Sequence, residues 1–113
     1  MADDKLTLVF FRSEAGNEPV RLKALPDGDR RVIGLDLMRV QWRWPVGMPL
    51  CRSLGQGLWE VRSSLPGNRI ARVIFIAHEG ELVALHAFIK KTQQTPDREV
   101  RLARKRLKEL QHG

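Results

Sequence analysis

Five side chains in this 113-residue chain have the types and spacing for work on a phosphate: Glu60, Arg62, Arg72, His86 and Lys90. Three runs around them, "LWEVRSS", "RIARVIFIAH" and "ELVALHAFIKK", read as β-strands by length and by their β-branched and aromatic content. Alternate residues of a strand share a face. Trp59 and Val61 therefore oppose Glu60 and Arg62, and Ala71, Val73 and Phe75 oppose Arg72. Leu85, Ala87 and Ile89 likewise oppose His86, Phe88 and Lys90. With the strands adjacent, the five polar residues converge on one face as a cationic groove holding a titratable group. Attack of an RNA 2′-hydroxyl on its adjacent phosphate needs a proton acceptor, a donor for the leaving oxygen and fixed positive charge around the phosphorane. Arginine forks, a lysine and a histidine supply that set.

Each residue has a plainer role beside the chemical one. A lone histidine in an apolar strand usually packs into the core. Lys90 and Lys91 can guard a sheet end, Glu60 can form a surface pair with Arg62 or Arg72, and Trp59 suits the core better than base stacking. His78, His86 and His112 have no ligand-like spacing, so no metal or other cofactor is expected. Ser63 and Ser64 have no evident base beside them. The single cysteine, Cys51, cannot form an intrachain disulfide and is expected to pack.

The elements that must position these groups follow from pattern. "LTLVFF", residues 6–11, starts the sheet. Asp27 or Asp29 can cap a helix in which Ile33, Leu37 and Val40 recur at helical spacing, with Val32, Leu35 and Met38 widening its apolar face. Glu18 to Leu25 adds a short preceding turn of helix, making an αα-hairpin. "RWPVGMPLCRSLGQG" reads as loop. "LPGN" and "EG" join the three strands as a meander, the glycine of "EG" suiting a tight turn. In the tail, Thr95 is a cap, Pro96 takes the first helical position, and Val100, Ala103, Leu107 and Leu110 form one apolar stripe against a basic remainder. The class is α+β, as a single domain spanning 1–113. Helices covering one sheet face would leave the other free for a partner.

Net charge is +7 with a pI near 10.5, and the basic residues are spread through the body of the chain. Such a surface favours a polyanion, nucleic acid most simply. The longest apolar stretches are strand-sized, too short for a membrane span. "MADDKLTLVFF" opens acidic without the order of a secretion signal, so a cytoplasmic protein is expected.

The motifs "PVGMPL", "GLWEVR" and "RIARVIF", with "FIKKTQQTP" and a following helix containing "ARKR", closely resemble the phage-derived, HigB-like branch of the RelE/ParE toxin superfamily. The resemblance implies a RelE-like fold: a small antiparallel sheet, two N-terminal helices packed on one face and a C-terminal helix. It implies a type II toxin held by a HigA-like helix-turn-helix antitoxin in a hetero-oligomer. It further implies metal-independent messenger cleavage in the ribosomal A site, leaving a 2′,3′-cyclic phosphate. By motif position, Arg62 and Arg72 resemble the phosphate-stabilising arginines, His86 the acid/base and Lys90 the cation beside the phosphate. Glu60, Arg69, Lys91 and Arg98 are the expected RNA contacts. The chain contains no tyrosine, which excludes a phenol from the mechanism. Two other readings stay open: a toxin of this fold that blocks a protein such as DNA gyrase, and a basic nucleic-acid-binding domain without toxicity.

Overall fold

The structure, a computed structural model, describes residues 5–13, 16, 20 and 22–112. Among the described residues, strand β1 (Leu8–Phe10) and a 3-10 turn (Leu22–Ala24) precede helix α1 (Asp27–Arg43). Then come strands β2 (Cys51–Gly55), β3 (Leu58–Leu65), β4 (Arg69–His78) and β5 (Glu81–Lys90), and helix α2 (Asp97–His112). The strands form one sheet in the order β1-β5-β4-β3-β2. β2 to β5 run as an antiparallel meander, while β1 lies parallel to β5. The class is α+β, but the sheet is mixed rather than wholly antiparallel.

Both tight turns of the meander are built alike. Gln56 and Gly57 between β2 and β3, and Glu79 and Gly80 between β4 and β5, all have positive φ. That is the geometry whose twist matches a two-residue hairpin, and glycine at the second position adopts it without a Cβ clash.

Several expectations change. The first helix of the proposed αα-hairpin appears among the described residues only as the 3-10 turn, and Glu18 itself lies outside them. "CRSLG", read as loop, is the edge strand β2, whose backbone is recruited by β3. On α1 only Ile33, Leu37 and Val40 of the apolar residues are buried. Val32 is half-buried, whereas Leu35 and Met38 are 52% and 46% exposed. At 100° per residue, position 35 lies nearly opposite 33 and 37, so one helix cannot bury both sets. Asp27 and Asp29 sit in the first turn of α1 behind Pro26, with no side-chain cap.

The last change concerns the free face. α1 packs on the sheet side carrying Cys51, Val61, Leu65, Ala71, Val73 and Phe75. The other side, with Leu58, Ile74, Ile76, Val83 and Leu85, takes Ala103 and Leu107 of α2. The helices thus sit on opposite faces. The tail's apolar stripe has to be buried somewhere, and α1 already occupies the first face. No helix among the described residues is long and apolar enough to cross a membrane.

Candidate functional site

Arg62 and Arg72 are direct cross-strand partners on β3 and β4. Like charges so placed repel. Glu60, two residues earlier on β3 and on the same face, lies between them. Arg62 Nε is 3.7 Å from Glu60 Oε1, and Arg72 Nε is 4.0 Å from Oε2. Glu60 and Arg72 are both 0% exposed. Burial pulls the Arg72 pKa down from its ordinary value and Arg62 adds to the fall, while Glu60 opposes it.

Above this cluster runs the segment joining β5 to α2. Arg72 Nη2 donates to the carbonyl of Thr92, and Arg62 Nη2 donates to the carbonyl of Gln93 at 2.6 Å. The Thr95 hydroxyl donates to Glu60 Oε2. Thr95, expected to cap α2, thus spends its hydroxyl on the glutamate instead. The strap 92–95 closes over the arginines but leaves Glu60 Oε1 and the Nε and Nη1 of Arg72 buried without a hydrogen bond. Unpaired buried polar atoms are uncommon in folded proteins and here mark an under-satisfied, strongly cationic spot.

His86 sits in a second polar cluster. A bulge in the β4–β5 ladder between Ile74 and Phe75 leaves Leu85 as the extra residue, so Leu85 and His86 both face α2. Strict alternation, which placed Leu85 with Ala87 and Ile89, fails at that point. Arg106 of α2 donates to the carbonyl of Leu85 at 2.8 Å and reaches His86 Nδ1 at 3.0 Å. A guanidinium only donates, so Nδ1 must accept, and Nε2 carries the proton it shares with Glu99 Oε1 at 2.6 Å. Lys90 reaches the other oxygen of Glu99 at 3.0 Å. Burial works against the charge of Glu99, but the hydrogen bonds from His86 and Lys90 outweigh it and hold the carboxyl below its usual range. Phe88 stands between the two clusters, stacked on His86 and within 5.6 Å of the Arg72 guanidinium.

Of the expected site residues, the structure places Glu60, Arg62, Arg72, His86 and Lys90 on one sheet face, as strand parity required, but in two clusters with Phe88 between them, under a strap and a helix rather than on an open face. It does not bring Arg69 to them. Arg69 pairs with Leu65 on the α1 side and grips Asp29 through two bonds of 2.8 and 2.9 Å. Lys91 is exposed at the start of the strap, and Arg98, 72% exposed, lies 3.6 Å from Glu99. Trp59 packs edge-on against Trp44 in the core. The sequence reading missed Phe88, Glu99 and Arg106. The i, i+7 spacing of Glu99 and Arg106 puts them on one helix face, but nothing local said which strand that face would meet.

No curated protein matches this chain. Among known families, residues 21–108 match the one described as phage derived protein Gp49-like (DUF891). With that match spanning most of its 113 residues, and taking in both clusters, the strap, α1 and most of α2, the chain belongs to the Gp49-like family, which is associated with the toxins of toxin–antitoxin systems.

Proposed function

We propose that this protein is a toxin that cuts messenger RNA on the ribosome, through a metal-independent transesterification, and is kept silent by a HigA-like antitoxin. The observation that carries the reading is the opposed pair Arg62 and Arg72, each donating to a strap carbonyl. Carbonyl oxygens there occupy the positions that the non-bridging oxygens of a phosphate would take. Two guanidiniums on one phosphate supply the charge that the phosphorane needs.

In this reading the 2′-oxygen attacks phosphorus and the bond from phosphorus to the 5′-oxygen breaks, giving a 2′,3′-cyclic phosphate and a free 5′-hydroxyl. One proton leaves the 2′-hydroxyl and one must reach the departing oxygen. His86 is the group suited to carry them, with Lys90 beside it as fixed charge. Both of its ring nitrogens are engaged in the closed form. A phosphate that reaches Arg72 displaces the Thr92 carbonyl, so catalysis includes lifting the strap, and with it the start of α2, which frees His86 from Glu99. Lys91 and Arg98 flank the same opening as RNA contacts. Arg69, clamped to Asp29 on the far face, is left out of the RNA surface.

The burial of Glu60 and Arg72 favours one rival, a toxin of the same family that blocks a protein target and never cleaves RNA. The deciding experiment induces the protein in bacteria without an antitoxin and maps messenger 5′ ends, with Arg62→Ala as the control because Arg62, unlike Arg72, is partly exposed, and with a melting curve of the variant to show that it is folded. Cuts within translated frames that vanish in the variant are the expected result. Growth arrest with intact messengers would transfer the reading to a protein target such as gyrase, and normal growth would leave a basic binding domain.

A further inference from the structure

A groove of about 500 Å³ opens beside the arginine pair, between β2 and α2. Arg52, Arg101 and Arg104 line it, with Leu54 and Val100 as its apolar surface and Asp97 as its acidic group. Arg52 is the cross-strand partner of Glu60, so this groove meets the first cluster directly. Thr95 forms part of both, lining the groove while its hydroxyl holds Glu60. Arg52 also lies close enough to Arg72 to help depress its pKa, after burial and Arg62.

The three arginines are not neutralised as ordinary surface arginines are. Arg104 is held in place by the side-chain oxygen of Gln56 and, at 3.4 Å, by the carbonyl of Leu54, neither of them charged. Arg52 and Arg101 are exposed and have no ion pair or side-chain hydrogen bond among the described residues. Mutual repulsion disfavours gathering guanidiniums round an apolar floor unless an anion visits it. Guanidinium forks match phosphate geometry, and an apolar floor suits the flat face of a base or a ribose.

We propose that this groove is a binding subsite for single-stranded RNA, in which Arg52 and Arg101 take backbone phosphates next to the one addressed by Arg62 and Arg72, and Leu54 and Val100 support the intervening nucleoside. The proposal rests on the RNA reading above. An acidic peptide would satisfy the same charges, but RNA is favoured because the groove adjoins, through Arg52 and Thr95, the arginine pair to which the RNA reading assigns the scissile phosphate.

The test measures binding of a short single-stranded oligoribonucleotide with 2′-O-methyl riboses, which cannot be cleaved through the 2′-oxygen, over a range of salt concentrations. Each phosphate contact on a single strand contributes about 0.7 to the slope of log affinity against log salt. The double variant R52A/R101A is expected to bind more weakly and to lower that slope by about 1.4, with its melting temperature unchanged because both side chains are exposed. An unchanged slope and affinity in R52A/R101A, alongside weakened binding by Arg62→Ala, would overturn the subsite and leave the RNA reading standing. No binding by the unmodified protein even at low salt would overturn both. Capture of a poly-glutamate peptide that R52A/R101A loses, without RNA binding, would assign the groove to a protein partner instead.

Discussion

Glu60 is the residue on which the cationic cluster depends. It is the one carboxylate between two arginines, it is fully buried, and Thr95 ties the strap to it. Removing one member of a buried ionic group leaves the others uncompensated. Glu60→Ala is therefore expected to cost about 3 kcal/mol in urea unfolding. The exposed pair Asp27 and Arg30 on α1 offers the contrast, since Arg30→Ala should change stability by less than about 1 kcal/mol. Equal effects from the two variants would mean that the Glu60 cluster is not a buried ionic unit. Cys51 gives a second expectation at this scale. Burial under α1, with Asp36 nearby, pushes its thiol up to about 11. Only the thiolate reacts, so alkylation of the folded protein at pH 8 should run about a hundredfold slower than that of an unfolded control, from the shift relative to a free thiol. Fast labelling would show that β2 opens readily.

At the scale of elements, α2 is both a cover and a clamp. Its apolar stripe, Val100, Ala103, Leu107 and Leu110, lies on the sheet, while Glu99 and Arg106 hold the bulged part of β5. Truncating the buried Leu107 to Ala should destabilise the protein by about 2–4 kcal/mol, read as a lower urea midpoint. Glu99 makes the clamp sensitive to acid. Its folded pKa is depressed by the bonds from His86 and Lys90 that overcome its burial. A carboxylate shifted downward stabilises the fold fully above its unfolded value of about 4.3, and that stabilisation is lost as pH falls through the lower folded value. Melting temperature should therefore drop below about pH 4, and Glu99→Gln should flatten that part of the profile. A profile identical in the variant would remove Glu99 from the clamp.

For the molecule as a whole, β3, β4 and β5 are paired on both sides, and the middle of β4 and the first half of β5 form unbroken buried runs between the two helix-covered faces. The strap is the reverse: its residues 92–94 are exposed, and two of its carbonyls bond to arginine side chains rather than to backbone. Local opening free energies follow such differences. Amide exchange should be slowest at Val73–Ile76 and Leu82–Leu85, and faster by orders of magnitude across the strap. Strap amides as protected as those of β4 would contradict a site that opens by lifting it. The net charge of +7 acts over longer range, drawing a polyanion toward the whole surface before the groove and the arginine pair align it.

Local periodicity settled much of this protein. The alternation in "LWEVRSS", "RIARVIFIAH" and "ELVALHAFIKK" gave three strands, and the parity of Glu60, Arg62 and Arg72 put them on one face, because a strand's twofold repeat is a property of the chain itself. The tail stripe likewise gave α2, and the motifs around "GLWEVR" and "FIKKTQQTP" carried the resemblance to the toxin family. What the sequence left open were choices among distant partners. β2 exists because β3 offers it a ladder, and β1, the first strand, pairs parallel with β5, the last, more than seventy positions away. Arg69 turned to Asp29, forty positions away, and Thr95 to Glu60, thirty-five away. Above all, the face that looked open is closed, since a periodic pattern records which side chains point together but not what will be packed on top of them. That was decided by where α2 could bury Ala103 and Leu107, which only the packed tertiary structure determines.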